Sequence, residues 1–136
     1  MGYRFDYKGR SVVVSGDTLV TETTIEASDG VDLVIHDAMM IRLVQAAAGL
    51  QWGAGNTRIA TALDDIQGYH ATTGDLQRLM DSAIIGQLAL YDLVPSPRNA
   101  MALTAFSNAI PEGSILTEDG MVFSLPAESD LIDVEQ

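Results

Sequence analysis

The order of apolar and polar residues along the chain predicts strands separated by helices. An aromatic and polar strand begins at Tyr3 and turns at Lys8-Gly9-Arg10 into the apolar run Ser11–Val14. β-Branched runs of this kind fit the pleated, half-buried surface of a sheet. Two further apolar runs, at 31–36 and 87–93, lack a clean alternation. They are therefore predicted to be strands that are covered on both faces.

Apolar residues spaced three and four positions apart predict helices between these strands. The predicted helices cover 22–28, the segment from Ala38 to a loop at 51–56, then 57–66, a helix opened by the capping sequence at 72–75, and 98–109. This alternation of strands and helices indicates an α/β fold. Two apolar runs about Glu118-Asp119-Gly120 predict a C-terminal β-hairpin within 114–125.

Length and composition fit one domain with a real core. The chain has 136 residues, of which 47% are hydrophobic, and we expect a domain over 1–127 followed by an acidic, frayed tail at 128–136. The absence of cysteine excludes disulfides, thiolate zinc sites and cysteine nucleophiles together. No apolar run has the length of a membrane span or the character of a signal peptide. A cytoplasmic protein without membrane contact is therefore expected.

The charge balance narrows the class of partners. Nineteen acidic residues against seven basic ones give a formal net charge of -12. Such a surface repels phosphate backbones and anionic membranes, so we expect no nucleic-acid partner.

Polar side chains stand where three of the predicted strands end. Asp17 follows the first apolar run, His36-Asp37 closes the second and Asp92 closes the third, while His70 precedes a helix. Strand ends of this kind converge at one edge of the sheet in α/β folds, so these residues can share a pocket. Carboxylates and imidazoles are the ligands that metal-dependent hydrolases use.

Each of these residues also has a structural alternative. Asp17 or Thr18 can cap a helix, and each histidine can be a hydrogen-bonded structural residue. An acid–base pair of His70 with Asp37 or Asp17 is a further reading. The sequence contains no HxH or HExxH pair, no nucleophile-elbow serine and no phosphate-loop glycine–lysine pairing. The sequence therefore gives less support to a histidine-pair zinc site, to a serine hydrolase and to a phosphate-binding loop.

The joint order of several segments resembles the C-terminal half of metallo-β-lactamase-fold hydrolases, in the branch of ribonuclease Z and the arylsulfatase-like enzymes. The segments are 3–18 (YRFDYKGRSVVVSGDT), 31–39 (VDLVIHDAM), 69–73 (YHATT), 88–95 (LALYDLVP) and the terminal EDGMVFSLP. The resemblance covers about residues 2–127. It implies half of an αβ/βα sandwich, with a mixed sheet that has helices on one face and a C-terminal β-hairpin.

The resemblance also implies a role for each polar residue. Asp17 corresponds to the aspartate that bridges two metal ions in the family. His36-Asp37 corresponds to the start of a His-Glu-Ala-Thr-like motif, with aspartate where glutamate is usual. His70 corresponds to a histidine that assists the leaving group or orients the substrate, and Asp92 replaces the last metal-binding histidine. The candidate zinc ligands are Asp17, Asp92 and His36, and the candidate catalytic residues are His70 and Asp37. Because most ligands of the family are missing, we expect low or absent zinc occupancy and no tight dinuclear centre.

Two departures from the family pattern leave three hypotheses. The family's HxHxDH motif lies in an N-terminal half that is absent here, and Asp92 stands in place of a histidine. The chain can be a truncated or split hydrolase that is inactive alone, or a binding and assembly module. It can also be an active hydrolase of small ester, sulfate-ester or lactone substrates. Because half a fold exposes the face that its partner covers, we expect a homo-oligomer or a complementary N-terminal half.

Overall fold

The computed structural model describes residues 2–136, and its main feature is a five-stranded mixed sheet. The strands stand in chain order and are β1 (Tyr3–Tyr7), β2 (Arg10–Val14), β3 (Val31–Met39), β4 (Ile85–Val94) and β5 (Ile115–Leu116). β1 runs antiparallel to β2, and each later pair is parallel. The α-helices of this part of the chain are α1 (Glu22–Ser28), α2 (Ile41–Gly53), α3 (Thr57–Asp65), α4 (Thr73–Ser82) and α5 (Ala100–Ser107). The α/β fold is confirmed.

The turn between β1 and β2 follows from its two central residues. Lys8 has φ 49° and Gly9 has φ 76°, and Tyr7 pairs directly with Arg10. Two successive residues with positive φ make a type I′ turn, whose twist matches that of the two strands it joins. The predicted reversal at Lys8-Gly9-Arg10 is therefore confirmed.

Side-chain caps set where two helices begin. The Thr21 hydroxyl accepts from the Thr24 amide at the start of α1, and the Thr72 hydroxyl accepts from the Asp75 amide at the start of α4. Both are capping boxes, in which the third helical residue also binds the cap residue's amide. The reading of Asp17 or Thr18 as the cap of the first helix is wrong, and this leaves the Asp17 carboxylate available for another role.

The hydrophobic core lies between the sheet and the helices. Its apolar members come from β2, β3 and β4 and from α1, α4 and α5, and they include Val13, Val34, Leu88, Leu90, Ile25, Leu76, Leu79 and Phe106. All are at least nine-tenths buried. This packing fixes the strand ends of the sheet relative to the loops that follow them.

β3 is longer than predicted. Ala38 and Met39 pair with Leu93 and Val94 of β4, so the chain stays extended past the predicted helix start at Ala38. α2 begins only at Ile41 and continues to Gly53, through residues predicted to be a loop. No helix of residues 2–136 has the length and apolar character to cross a membrane.

The C-terminal hairpin exists, but its strands are not the predicted ones. The first predicted run forms β5, which pairs in parallel with β4, and Thr117 continues this contact by donating to the Leu90 carbonyl. The second run forms β6 (Val122–Ser124), which pairs with β7 (Asp133–Glu135). The predicted pairing of the two runs within 114–125 is wrong, because the first run pairs with β4 at the edge of the main sheet instead.

The acidic tail is held to the body of the domain rather than frayed. The buried guanidinium of Arg10 donates to the carbonyls of Pro126, Ser129 and Leu131, and it forms an ion pair with Asp32 at 3.0 Å. All three tail carbonyls accept from Nη1 of Arg10, whereas its Nε is buried without a hydrogen-bond partner in residues 2–136.

An apolar surface remains accessible at the β1 edge of the sheet. Alternation along β1 places Tyr3, Phe5 and Tyr7 on one face, where they are 62%, 57% and 72% exposed. Val14 and Val12 lie opposite Tyr3 and Phe5 on β2 and are half-buried. We refer to these five side chains as the aromatic face.

Candidate metal site

Three metal-binding side chains converge at the carboxyl edge of the parallel strands. Asp17 lies in the loop after β2, Asp92 lies near the end of β4, and His70 lies in the loop before α4. One ligand atom of each lies within 4.8 Å of the other two. In the part of the chain that the structure describes, this is the group with the spacing of a metal site. We refer to it as the ligand cluster.

A β-bulge places Asp92 in the ligand cluster. Asp37 pairs with Tyr91 and Ala38 pairs with Leu93, so Asp92 has no partner in the ladder. Its φ is 43°, a left-handed conformation that aspartate tolerates better than most residues. Bulges turn a side chain away from the regular alternation and are common beside active sites. Asp92 is accordingly exposed between two otherwise regular stretches of β4.

Asp37 fixes the orientation of the His70 ring. Nδ1 of His70 lies 2.8 Å from Asp37 Oδ2, and the Ala71 amide donates to the same oxygen at 3.0 Å. Because a carboxylate only accepts, Nδ1 of His70 carries a proton, and in the neutral ring the lone pair is therefore on Nε2. Metal-binding histidines are oriented by carboxylates in this way. The geometry thus pairs His70 with Asp37, rather than with the alternative Asp17.

The buried carboxyl of Asp37 is held in its ionised form. Burial raises its pKa, but the hydrogen bond and charge of His36, the hydrogen bond of His70 and the Ala71 amide lower it. The outcome is a pKa below the ordinary value. Asp37 is fully buried, so it supports the ligand cluster from behind.

His36 lies outside the ligand cluster. Its ring is fully buried, and its Nδ1 lies 2.9 Å from Asp37 Oδ1 and 3.0 Å from the Asp37 carbonyl oxygen. Its Nε2 is buried without a hydrogen-bond partner. The expected role of His36 as a zinc ligand stays a prediction, and His70 occupies the place beside Asp17 and Asp92 instead.

Sequence reasoning missed two further side chains at this edge. Burial, followed by the negative charges of Asp17 and Asp37, raises the pKa of the Tyr91 phenol, while a bond with Ser15 lowers it. The Ser15 hydroxyl also accepts from the Asp37 amide at 3.3 Å. Tyr91 pairs with Asp37 in the sheet. In the sequence it directly precedes Asp92, and that position was the signal that could have identified it. Its phenol is a neutral donor beside the carboxylates.

The donor set of the ligand cluster fits a divalent cation. Two exposed carboxylates and one imidazole are ligands that zinc and manganese accept. Ligands about 2.1 Å from one ion lie up to roughly 4.2 Å apart, so small rotations of the exposed carboxylates close the observed spacing. Without a cation, the carboxylates of Asp17 and Asp92 repel each other.

No family model matches this chain. A segment of 55 residues is 40% identical to a ribonuclease Z from Exiguobacterium sp.. The match covers 40% of this chain and 18% of that protein, so the chain spans about a fifth of the length of the curated relative it matches. Ribonuclease Z is a metallo-β-lactamase-fold enzyme. The match supports a likeness to that superfamily and, through it, to metal-dependent hydrolases.

Proposed function

We propose that this chain carries part of a metal-dependent hydrolase site of the metallo-β-lactamase type. The observation that supports the proposal is the convergence of Asp17, His70 and Asp92, with His70 fixed through Asp37. Two carboxylates at strand ends and an oriented imidazole are suited to hold a cation and to move a proton at the same place.

Each residue then has a defined task. Asp17 and Asp92 would hold the ion through carboxylate oxygens, and His70 would present Nε2 to the ion or to the substrate. A bound divalent ion supplies a Lewis acid that polarises an ester oxygen and lowers the pKa of water. When Nε2 of His70 takes up a proton, the ionised Asp37 stabilises the resulting imidazolium through Nδ1. Tyr91 offers a neutral hydroxyl donor beside the same carboxylates.

Measured against the two metal ions that are bound in the family this chain resembles, the number of donors supports a split site rather than a complete one. A catalytic zinc commonly uses three protein ligands and an open position, so this ligand cluster suffices for one ion and falls short of two. We therefore propose a truncated or split hydrolase that is inactive alone and needs further donors from a complementary half. Small ester, sulfate-ester or lactone substrates suit an acidic surface better than polyanions do.

Metal binding by the purified chain tests this proposal. After chelator treatment and dialysis against zinc or manganese, we expect about one bound equivalent, measured by mass spectrometry of the metal. Less than about a tenth of an equivalent of either metal would overturn the proposed site. Generic ester, sulfate-ester and lactone substrates should not be hydrolysed by the loaded chain alone.

A second proposal, assembly, is favoured by the aromatic face. A compact monomer of this mass exposes about 6,900 Å², whereas the chain exposes 8111 Å². The excess of about 1,200 Å² exceeds the roughly 800 Å² that one partner buries in a standard interface. The cross-strand rows through Tyr3 and Phe5 carry no carboxylate, so repulsion between two acidic copies is weakest there. We propose that a second copy covers the aromatic face.

Light scattering of the purified chain should then give the mass of a dimer at micromolar concentration. Phe5→Glu should give a monomer, because it places a charge in the middle of the aromatic face on each copy. The matched control is Ile84→Glu, since Ile84 is also exposed but lies before β4. A stable wild-type monomer would contradict the assembly proposal and leave the metal proposal intact.

A further inference from the structure

His36 is a buried imidazole to which the proposed site gives no task. It lies inside β3, is 0% exposed, and its Nε2 has no hydrogen-bond partner in residues 2–136. An unpaired buried polar atom costs free energy that an apolar side chain of similar size would avoid. Filling the core therefore does not explain a histidine at this position.

The other ring nitrogen of His36 has a defined partner. Nδ1 lies 2.9 Å from Oδ1 and 3.0 Å from the carbonyl oxygen of Asp37. Both neighbours are acceptors, so Nδ1 must carry the proton; it donates to the carbonyl oxygen and lies beside Oδ1 as a close electrostatic contact. Oδ1 of Asp37 is buried and makes no well-aligned hydrogen bond within residues 2–136, so the attraction of the His36 N–H at 2.9 Å is what offsets its charge.

The contacts form one chain from the core to the ligand cluster. His36 Nδ1 holds one oxygen of Asp37, and the other oxygen, Oδ2, holds Nδ1 of His70 at 2.8 Å. The Ala71 amide binds that same second oxygen. The two imidazoles thus contact opposite oxygens of the same carboxylate, and these contacts restrict rotation of the carboxyl group.

We infer that His36 is a positioning residue: it holds Asp37 so that Asp37 keeps the proton of His70 on Nδ1 and Nε2 bare toward Asp17 and Asp92. This inference rests on the proposed role of His70. It assigns His36 to the support of the site, in place of the direct metal ligation that its position in the sequence suggested.

The tautomers of the two histidines test the inference directly. Long-range ¹H–¹⁵N correlation spectra of the metal-free protein, at about pH 8.5 where free imidazole is neutral, distinguish protonated from bare ring nitrogens. We expect protonated Nδ1 on both His36 and His70. A bare Nδ1 on His36 would overturn the inference whatever the protein does with metals.

Two substitutions at His36 separate positioning from packing. His36→Asn keeps an N–H near the position of Nδ1, so the His70 tautomer should persist and zinc affinity should stay within about threefold of wild type. His36→Leu keeps the apolar volume but removes the donor. It should give a mixture of His70 tautomers and weaken zinc binding about 10- to 100-fold.

An unchanged His70 tautomer in folded His36→Leu would overturn the inference, even if that variant melts at a lower temperature. If His36→Leu does not fold, His36→Gln replaces it, because its amide reaches the Nε2 position rather than the Nδ1 position. The same tautomer mixture is then expected, and an unchanged His70 tautomer in His36→Gln would likewise overturn it. Should the wild type bind no metal, the tautomer measurements still decide the question, and only the proposed function fails.

Discussion

Replacing Asp37 with alanine should lower the free energy of unfolding by about 3–5 kcal/mol. Asp37 is fully buried; its carboxylate accepts from the ring N–H of His70 and the amide of Ala71, and Nδ1 of His36 lies 2.9 Å from its Oδ1. Removal of the carboxylate leaves the donors of His70 and Ala71 buried without acceptors, and each carries its own desolvation penalty, whereas Nδ1 of His36 keeps the main-chain carbonyl of residue 37. Asp32 also has three donors, from Ser11 and Arg10, but its side chain is 24% exposed, so its loss should cost less.

Urea unfolding followed by circular dichroism, with EDTA present, measures this loss. Asp17→Asn and Asp92→Asn are the matched controls, because both carboxylates are exposed. Each should change the free energy of unfolding by no more than about 0.5 kcal/mol. A loss below about 1 kcal/mol for Asp37→Ala would mean that the contacts of Asp37 are not formed in solution.

The pH dependence of stability has a defined sign at Asp37. The pKa of its carboxyl is lower in the folded than in the unfolded chain. Such a group contributes stability that is complete above the unfolded-state pKa and is lost as the pH falls through the folded-state pKa. Wild-type stability should therefore fall below about pH 4, and Asp37→Asn should fall less steeply over the same range.

The convergence of the site could be predicted from the sequence, but its details could not. Polar residues that follow apolar runs, such as Asp17, Asp37 and Asp92, meet wherever parallel strands end together. The bulge at Asp92 depends on how β4 pairs with β3, and no local pattern encodes that pairing. Which histidine joins the ligand cluster likewise depends on tertiary contacts. Asp37 orients the ring of His70, whereas His36 is fully buried within β3.

The prediction for the C-terminal region was wrong for a related reason. The Glu118-Asp119-Gly120 turn is a sound local signal for a hairpin, yet the runs on either side pair elsewhere. The tail is fixed by Arg10, more than a hundred residues away in the chain. The hydrophobic pattern of the tail could not predict this contact, because the tail contributes main-chain carbonyls, which every residue has, as the acceptors of the Arg10 guanidinium.

Replacing Asp17 with asparagine should weaken zinc binding by about a hundredfold or more, because it removes a direct ligand, whereas loss of a supporting residue typically costs 10- to 100-fold. Competition with a chromophoric chelator measures the affinity. Asp6→Asn is the control, because Asp6 is exposed on β1 and, within residues 2–136, forms an ion pair only with Arg4. Both substitutions remove one negative charge, so a general loss of attraction for cations affects them equally.

Asp92→His changes the net charge by the same single unit but replaces one ligand with another. Imidazole suits zinc, whereas carboxylate suits manganese, so this variant should retain or gain zinc affinity and lose manganese affinity. Histidine also tolerates the left-handed conformation at this position better than most residues. If charge alone attracted the ion, Asp6→Asn, Asp17→Asn and Asp92→His would weaken zinc binding alike. A loss confined to Asp17→Asn, with zinc favoured over manganese in Asp92→His, requires both side chains to touch the same ion.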